Sequence, residues 1–133
     1  MADFRVQFEE IGGAFVQHFY NLFDNANAES RANNLIPLFL NEQCFQTYEN
    51  SKASGVEAIR ACLQKLSFQK IQRSITTVDC QPLSDGVLVG VMGMVKTDED
   101  PVHSYSETFV LRATNNNFFI TNHIFRMAIH NVG

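Results

Sequence analysis

Val87-Leu88-Val89-Gly90-Val91-Met92-Gly93-Met94-Val95 decides the fold. On a strand of period two, Val87, Val89, Val91 and Val95 share one face, while Leu88, Met92 and Met94 share the other. A strand apolar on both faces has to be covered on both. Residues 71–80, 105–113 and 118–128 resemble it in being rich in β-branched and aromatic side chains. Between these four segments lie Ser84-Asp85-Gly86, Asp98-Glu99-Asp100-Pro101 and Asn115-Asn116-Asn117, all residue types that turn a chain. Together with a strand near residues 44–49 they predict an antiparallel meander.

The cover for one face comes earlier in the chain. Phe4, Phe8, Ile11, Phe15, Phe19, Leu22 and Phe23 recur at steps of three and four, which predicts an amphipathic helix over 4–23 with Asp3 as its N-cap. Asp24-Asn25-Ala26-Asn27 breaks it, and Asn27 is placed to cap a second helix running to about Leu40, with a kink or early end at Pro37. Ser54-Gly55-Val56-Glu57 has the pattern of a capping box ahead of a third stripe, Ala58, Ile59, Cys62, Leu63 and Leu66. Helices first and strands after make an α+β fold: three N-terminal helices packed on a curved antiparallel sheet. The sheet's other face then needs a second copy, giving a homodimer, unless the strand is buried at the centre of one chain.

The chain's 133 residues are the size of one domain, 1–133, with no linker or low-complexity tract. Hydrophobic residues make up 45% and charged residues 18%, too apolar for a disordered segment. There are 12 Phe and no Trp, so a core or cavity walled by rings is expected. A formal charge of −4 argues against nucleic acid and against an anionic membrane surface, both of which select Lys and Arg. A basic partner protein fits that charge better. Cys44, Cys62 and Cys80 are odd in number and include no CxxC pair, which speaks against a secreted disulfide framework. The charged start and the lack of a long apolar run predict an intracellular, soluble protein.

Signatures of catalysis are thin. There is no Gly-rich phosphate loop, GxSxG, HExxH or metal-ligand spacing, so neither cofactor nor metal is expected. His18 falls inside the first helix among Phe residues and reads as a structural histidine; His123 and His130 lack the further ligands of a zinc site. An acid–base site of the ketosteroid isomerase kind, a carboxylate with a Tyr partner, has Asp79, Tyr20, Tyr105 and His103 as its candidates. The strongest local feature is Lys96-Thr97-Asp98-Glu99-Asp100-Pro101. It reads either as a solvated turn, carrying no core contacts, or as an acidic lip for Lys or Arg of a partner, with Glu49 a further charge beside Tyr48.

Several runs together resemble the nuclear transport factor 2 family. They are Phe15-Val16-Gln17-His18-Phe19-Tyr20, Leu22-Phe23-Asp24, Phe68-Gln69-Lys70-Ile71-Gln72, Ser74-Ile75-Thr76, Asp79 with Gln81-Pro82, the acidic turn, and Ile124-Phe125-Arg126 with His130-Asn131. They occur in order over nearly the whole chain. The resemblance implies a cone-like fold with an apolar cavity and a homodimeric, non-enzymatic carrier that takes GDP-bound Ran into the nucleus. It implies a rim of Glu49, Asp98 and Asp100 for Ran lysines. The cavity wall for a Ran aromatic side chain would be Tyr48, Leu66, Ile71, Phe125 and Met127. Phe8 would lie where FxFG-repeat nucleoporins dock, and the protein would divide between cytoplasm and nucleus, enriched at the nuclear envelope.

Two other readings use the same fold. A cavity enzyme of the isomerase or dehydratase type requires a buried carboxylate facing an apolar pocket with a Tyr or His partner. An FxFG-binding scaffold that has lost Ran is compatible with the departures from the family: Tyr48 and Phe8 where Trp is common, His103 at an apolar position, and His123 in place of an acid, the two histidines making the cavity mouth less negative.

Overall fold

A computed structural model describes residues 4–25 and 27–128, with the side chains of 4–6, 28 and 29 left out. Asp3, His130 and Asn131 therefore lie outside the described residues. Helix α1 (Phe4–Asn25) is followed by α2 (Ala28–Leu35), a single 3-10 turn (Ile36–Leu38), strands β1 (Phe45–Tyr48) and β2 (Ser51–Ser54), and α3 (Val56–Gln64). The long strands β3 (Ile71–Leu83), β4 (Gly86–Thr97), β5 (His103–Thr114) and β6 (Asn117–Met127) complete the chain. Helices packed on one curved six-stranded sheet, in the order β2-β1-β6-β5-β4-β3, make the expected α+β fold.

Helix α1 buries the face that its spacing predicts: Val16, Phe19, Tyr20 and Phe23 are in the core, with Phe8, Ile11, Phe15 and Leu22 packed beside them. His18 points away from that face and is exposed, so its reading as a structural histidine is corrected. Gly12 lets the helix lie against the sheet, since a Cβ there would stand 2.3 Å from the Cys80 sulfur and 3.2 Å from Val89. Asn27 caps α2 as expected, its side chain accepting from the Ser30 N–H at 2.8 Å. Pro37 ends that helix early, at Leu35, in the 3-10 turn.

Two expectations are corrected here. The capping box does not form, because Ser54 is drawn into β2, paired with Phe45. Gly55 becomes the N-cap of α3 instead, at φ +85°, a left-handed conformation that favours glycine. The sheet is mixed rather than antiparallel throughout: β1 runs parallel to β6, with Tyr48 opposite Phe125. The chain enters it from Phe39, which already bridges Ile120 in parallel.

Strand β4 separates its faces as its pattern requires. Val87, Val89, Val91 and Val95 are buried under the helices, whereas Met92 is 58% exposed and Met94 40%. The register puts Ile124 and Phe45 on that same outer face, both also exposed. An apolar outer face is therefore left uncovered by the described residues.

Candidate functional site

On the helix side of the sheet, one end of β1, β5 and β6 carries a ladder of rings. Tyr48 stacks on Phe125 at 4.5 Å between centroids and 15° between planes, and Phe125 stacks on Tyr105 at 5.6 Å. Phe23 of α1 faces Tyr48 at 6.4 Å. Leu66, Ile71 and Met127 are half-buried and pack against the same core.

Turns meet above this ladder. Glu49, at φ +56°, donates its N–H to the Phe125 carbonyl at 2.9 Å, and its carboxylate accepts the Met127 N–H at 2.5 Å. Asp98, at φ +49°, holds the loop between α3 and β3: one oxygen accepts from Gln69 N at 3.0 Å and Lys70 N at 2.8 Å. Both amides belong to an exposed loop, so Asp98 holds a neighbouring loop without touching the core. Among the described residues the Asp100 side chain has only a 3.5 Å contact from the Thr97 hydroxyl, and it lines a cleft of about 300 Å³ with Val95, Thr97, Pro101, His103 and Met127. Met127 links two of the acids, since Glu49 binds its N–H and Asp100 shares its cleft.

Arg31 supports the loop from below. It is fully buried and donates to the carbonyls of Phe23 (3.2 Å), Leu66 (3.3 Å) and Phe68 (3.1 Å). Its guanidinium lies over the Phe68 ring at 4.2 Å. Burial pulls its pKa below the ordinary guanidinium value, with the charges of Asp24 and Asp98 opposing.

A second ladder, this one polar, lies two residues deeper on the same three strands. The Tyr105 hydroxyl donates to the Tyr20 hydroxyl (3.0 Å), and the Tyr20 hydroxyl donates to Glu107 (2.7 Å). The other Glu107 oxygen meets His123 Nε2 at 2.6 Å, and His123 Nδ1 meets Gln46 Nε2 at 3.0 Å. Arg73 grips Asp24 with two hydrogen bonds, at 3.0 and 2.9 Å, and its guanidinium lies 3.8 Å from the centre of the Tyr20 ring. Burial alone would lower the Arg73 pKa, but the Asp24 hydrogen bonds and the Glu107 charge prevail and raise it.

Of the four acid–base candidates, the structure joins Tyr20 and Tyr105 but leaves Asp79 exposed and His103 in the rim cleft. His123 is not at the cavity mouth: it is buried, stacked on Phe109 at 4.9 Å. Glu107 and Arg31 were missed. Glu107 is in step with Tyr105, Phe109 and Leu111, so the period of two already placed it on the inner face.

Burial first, and the Glu107 charge second, push the Tyr20 and Tyr48 phenols above their ordinary value. A raised folded pKa gives stability that is present below the unfolded value of about 10 and lost as pH rises above it. Absorbance titration should find both phenols ionising only as the protein unfolds. Ionisation of either at about pH 10 in folded protein would contradict this packing.

The nuclear transport factor 2 (NTF2) domain model matches residues 11–127. A probable nuclear transport factor 2 of Caenorhabditis elegans is 43% identical over 130 residues, covering 96% of this chain and 98% of that protein. The structure of nuclear transport factor 2 from Cryptosporidium parvum matches with a TM-score of 0.81 at 35% identity, covering 91% of this chain and 94% of that one. A putative scytalone dehydratase from Novosphingobium aromaticivorans matches with a TM-score of 0.71, covering 96% of this chain and 90% of that one, but at 16% identity it shares the fold alone. Motifs, sheet order and relatives agree: the chain belongs to the nuclear transport factor 2 domain family.

Proposed function

We propose that this chain is a non-enzymatic carrier that takes GDP-bound Ran into the nucleus. The reading is supported by Glu49 bound beside the Tyr48–Phe125 stack, Asp100 in the adjoining Met127 cleft, and Asp98 on the loop before β3. An aromatic side chain of Ran enters between Tyr48, Leu66, Ile71, Phe125 and Met127, where full burial of such a side chain contributes about 1.5–3 kcal/mol. The rim acids pair with Ran lysines and set approach and register. Selection of the GDP state follows if the switch segment presents its ring to the cavity only in that state. FxFG-repeat nucleoporins dock at Phe8, half-buried on α1, and the carrier shuttles between cytoplasm and nucleus, concentrated at the nuclear envelope. Titration with Ran loaded with GDP and with a GTP analogue tests the reading. Binding of the GDP form alone is expected, and equal binding, or none, would defeat it.

The enzymatic alternative has one observation in its favour, since Glu107 is a buried carboxylate with Tyr and His partners. Yet both its oxygens and both His123 nitrogens already face protein groups, and Glu107 and His123 are at most 2% exposed. Each is occupied in holding the fold, which favours a carrier.

The carrier acts as a homodimer joined through the outer face of Met92, Met94, Ile124 and Phe45. Met92→Glu should put a charge into that interface and leave a monomer with the core intact. Sedimentation should give twice the 15.0 kDa of one chain for wild type and a single chain for the variant. A variant that remains dimeric would move the interface elsewhere.

A further inference from the structure

The two ladders run in step. Gln46 and Tyr48 are two apart on β1, His123 and Phe125 on β6, and Glu107 and Tyr105 on β5. In each ladder the β1 residue stands directly opposite its β6 partner, and the step to β5 is diagonal. We infer that Glu107 is the positioning residue of the ring ladder, fixing Tyr105 from one side and the β1 strand of Tyr48 from the other. This rests on the reading of Tyr48 and Phe125 as the wall that receives a partner's ring.

An ionised carboxylate accepts and does not donate. The Tyr105 hydroxyl donates to Tyr20, and Tyr20 donates to one Glu107 oxygen. From the other end, with the Gln46 NH2 group taken as the donor, His123 Nδ1 accepts and the ring proton sits on Nε2, donated to the second oxygen. Both donor chains end on Glu107. One begins at Tyr105, whose ring supports Phe125, and the other at Gln46, two residues before Tyr48. Removing that double acceptor leaves two buried donors without a partner, and the rings they orient lose their fixed place.

Glutamine at position 107 has one oxygen and one NH2 group, so it can serve only one chain as the carboxylate does. The second chain can reverse: the NH2 group donates to His123 Nε2, the proton moves to Nδ1, and a flipped Gln46 accepts it. The buried Gln46 Oε1, which has no partner among the described residues, is the atom that the flip would employ. Glu107→Gln should therefore keep the ring ladder while inverting the His123 tautomer, whereas Glu107→Leu should break both chains.

The chain has no Trp and three Tyr, and all three, Tyr20, Tyr48 and Tyr105, belong to these ladders. The tyrosine near-ultraviolet circular dichroism is thus a direct reporter of them. Glu107→Leu, still melting cooperatively, should lose that signal and bind GDP-bound Ran about tenfold more weakly. Glu107→Gln should keep signal and affinity, with the nitrogen NMR shifts of His123 showing the proton on Nδ1. A folded Glu107→Leu that keeps the signal, or loses it and binds like wild type, would overturn the inference. If Glu107→Leu does not fold, Glu107→Gln decides: a lost signal or an unchanged tautomer would overturn it. Should wild type not bind Ran, the carrier reading fails by itself, and the signal and tautomer still judge Glu107.

Discussion

Arg31→Ala should lower the unfolding free energy by about 3 kcal/mol, a large share of the 5–15 kcal/mol typical of a domain. Three carbonyls lose a charged donor at once: Phe23 in the last turn of α1, and Leu66 and Phe68 in the loop before β3. Hydrogen bonds to a charged group are worth about 1.5–3 kcal/mol each, and the stacking on Phe68 adds to them. Relief from holding a guanidinium out of water offsets part of that sum, which is why the net is set near the value of two bonds. Arg31→Lys should rescue little, because one ammonium cannot span three carbonyls in a fork or stack as a plane. Denaturant melts at fixed protein concentration measure this; a loss below about 1 kcal/mol would mean that water replaces the guanidinium. The same loop presents the Gln69 and Lys70 amides to Asp98, so Arg31 supports the rim as well as the core.

Arg31 also shows where sequence reading stops. An Arg in an eight-residue helix reads as surface, and only the meeting of α1, α2 and the loop before β3 creates the three carbonyls that bury it. The strands were legible because Val87, Val89, Val91 and Val95 alternate cleanly with Met92 and Met94. The cap at Asn27 and the break at Pro37 were legible because each acts through its own backbone. Strand β2 was not, since Ser51–Ser54 has no apolar face, and its pairing with Phe45 displaced the expected cap at Ser54. The parallel pairing of β1 with β6 is a long-range contact that no local pattern encodes. His18 was misread because an apolar neighbourhood in sequence is not a shared helix face. The rim acids and ring wall came from resemblance to a family; the polar ladder beneath them came only from three strands laid side by side.

Reversing one rim charge should abolish most binding of GDP-bound Ran. Asp98 is the wrong residue for that reversal, because its carboxylate also holds the Gln69 and Lys70 amides. Asp98→Asn keeps an acceptor oxygen and tolerates the left-handed backbone at φ +49°, so it removes charge and little else. Asp100→Lys is the cleaner reversal, since among the described residues that side chain has only the long contact from Thr97. Truncating one partner of a desolvated pair costs about 2–5 kcal/mol, whereas a solvated pair is worth about 0–1 kcal/mol. A loss of at least tenfold, about 1.4 kcal/mol, separates the two cases. Screening weakens attraction in wild type and repulsion in the variant alike, so the gap between them should narrow as salt rises.

The most direct measurement is a titration of GDP-bound Ran against wild type, Asp98→Asn and Asp100→Lys at low and high salt, with thermal melts of each protein. The acidic rim predicts unchanged melting for Asp100→Lys, at least tenfold weaker binding for both variants at low salt, and a smaller difference at high salt. Folded variants that bind GDP-bound Ran as tightly as wild type at both salts would show that the rim is a solvated turn and that Ran is not held there.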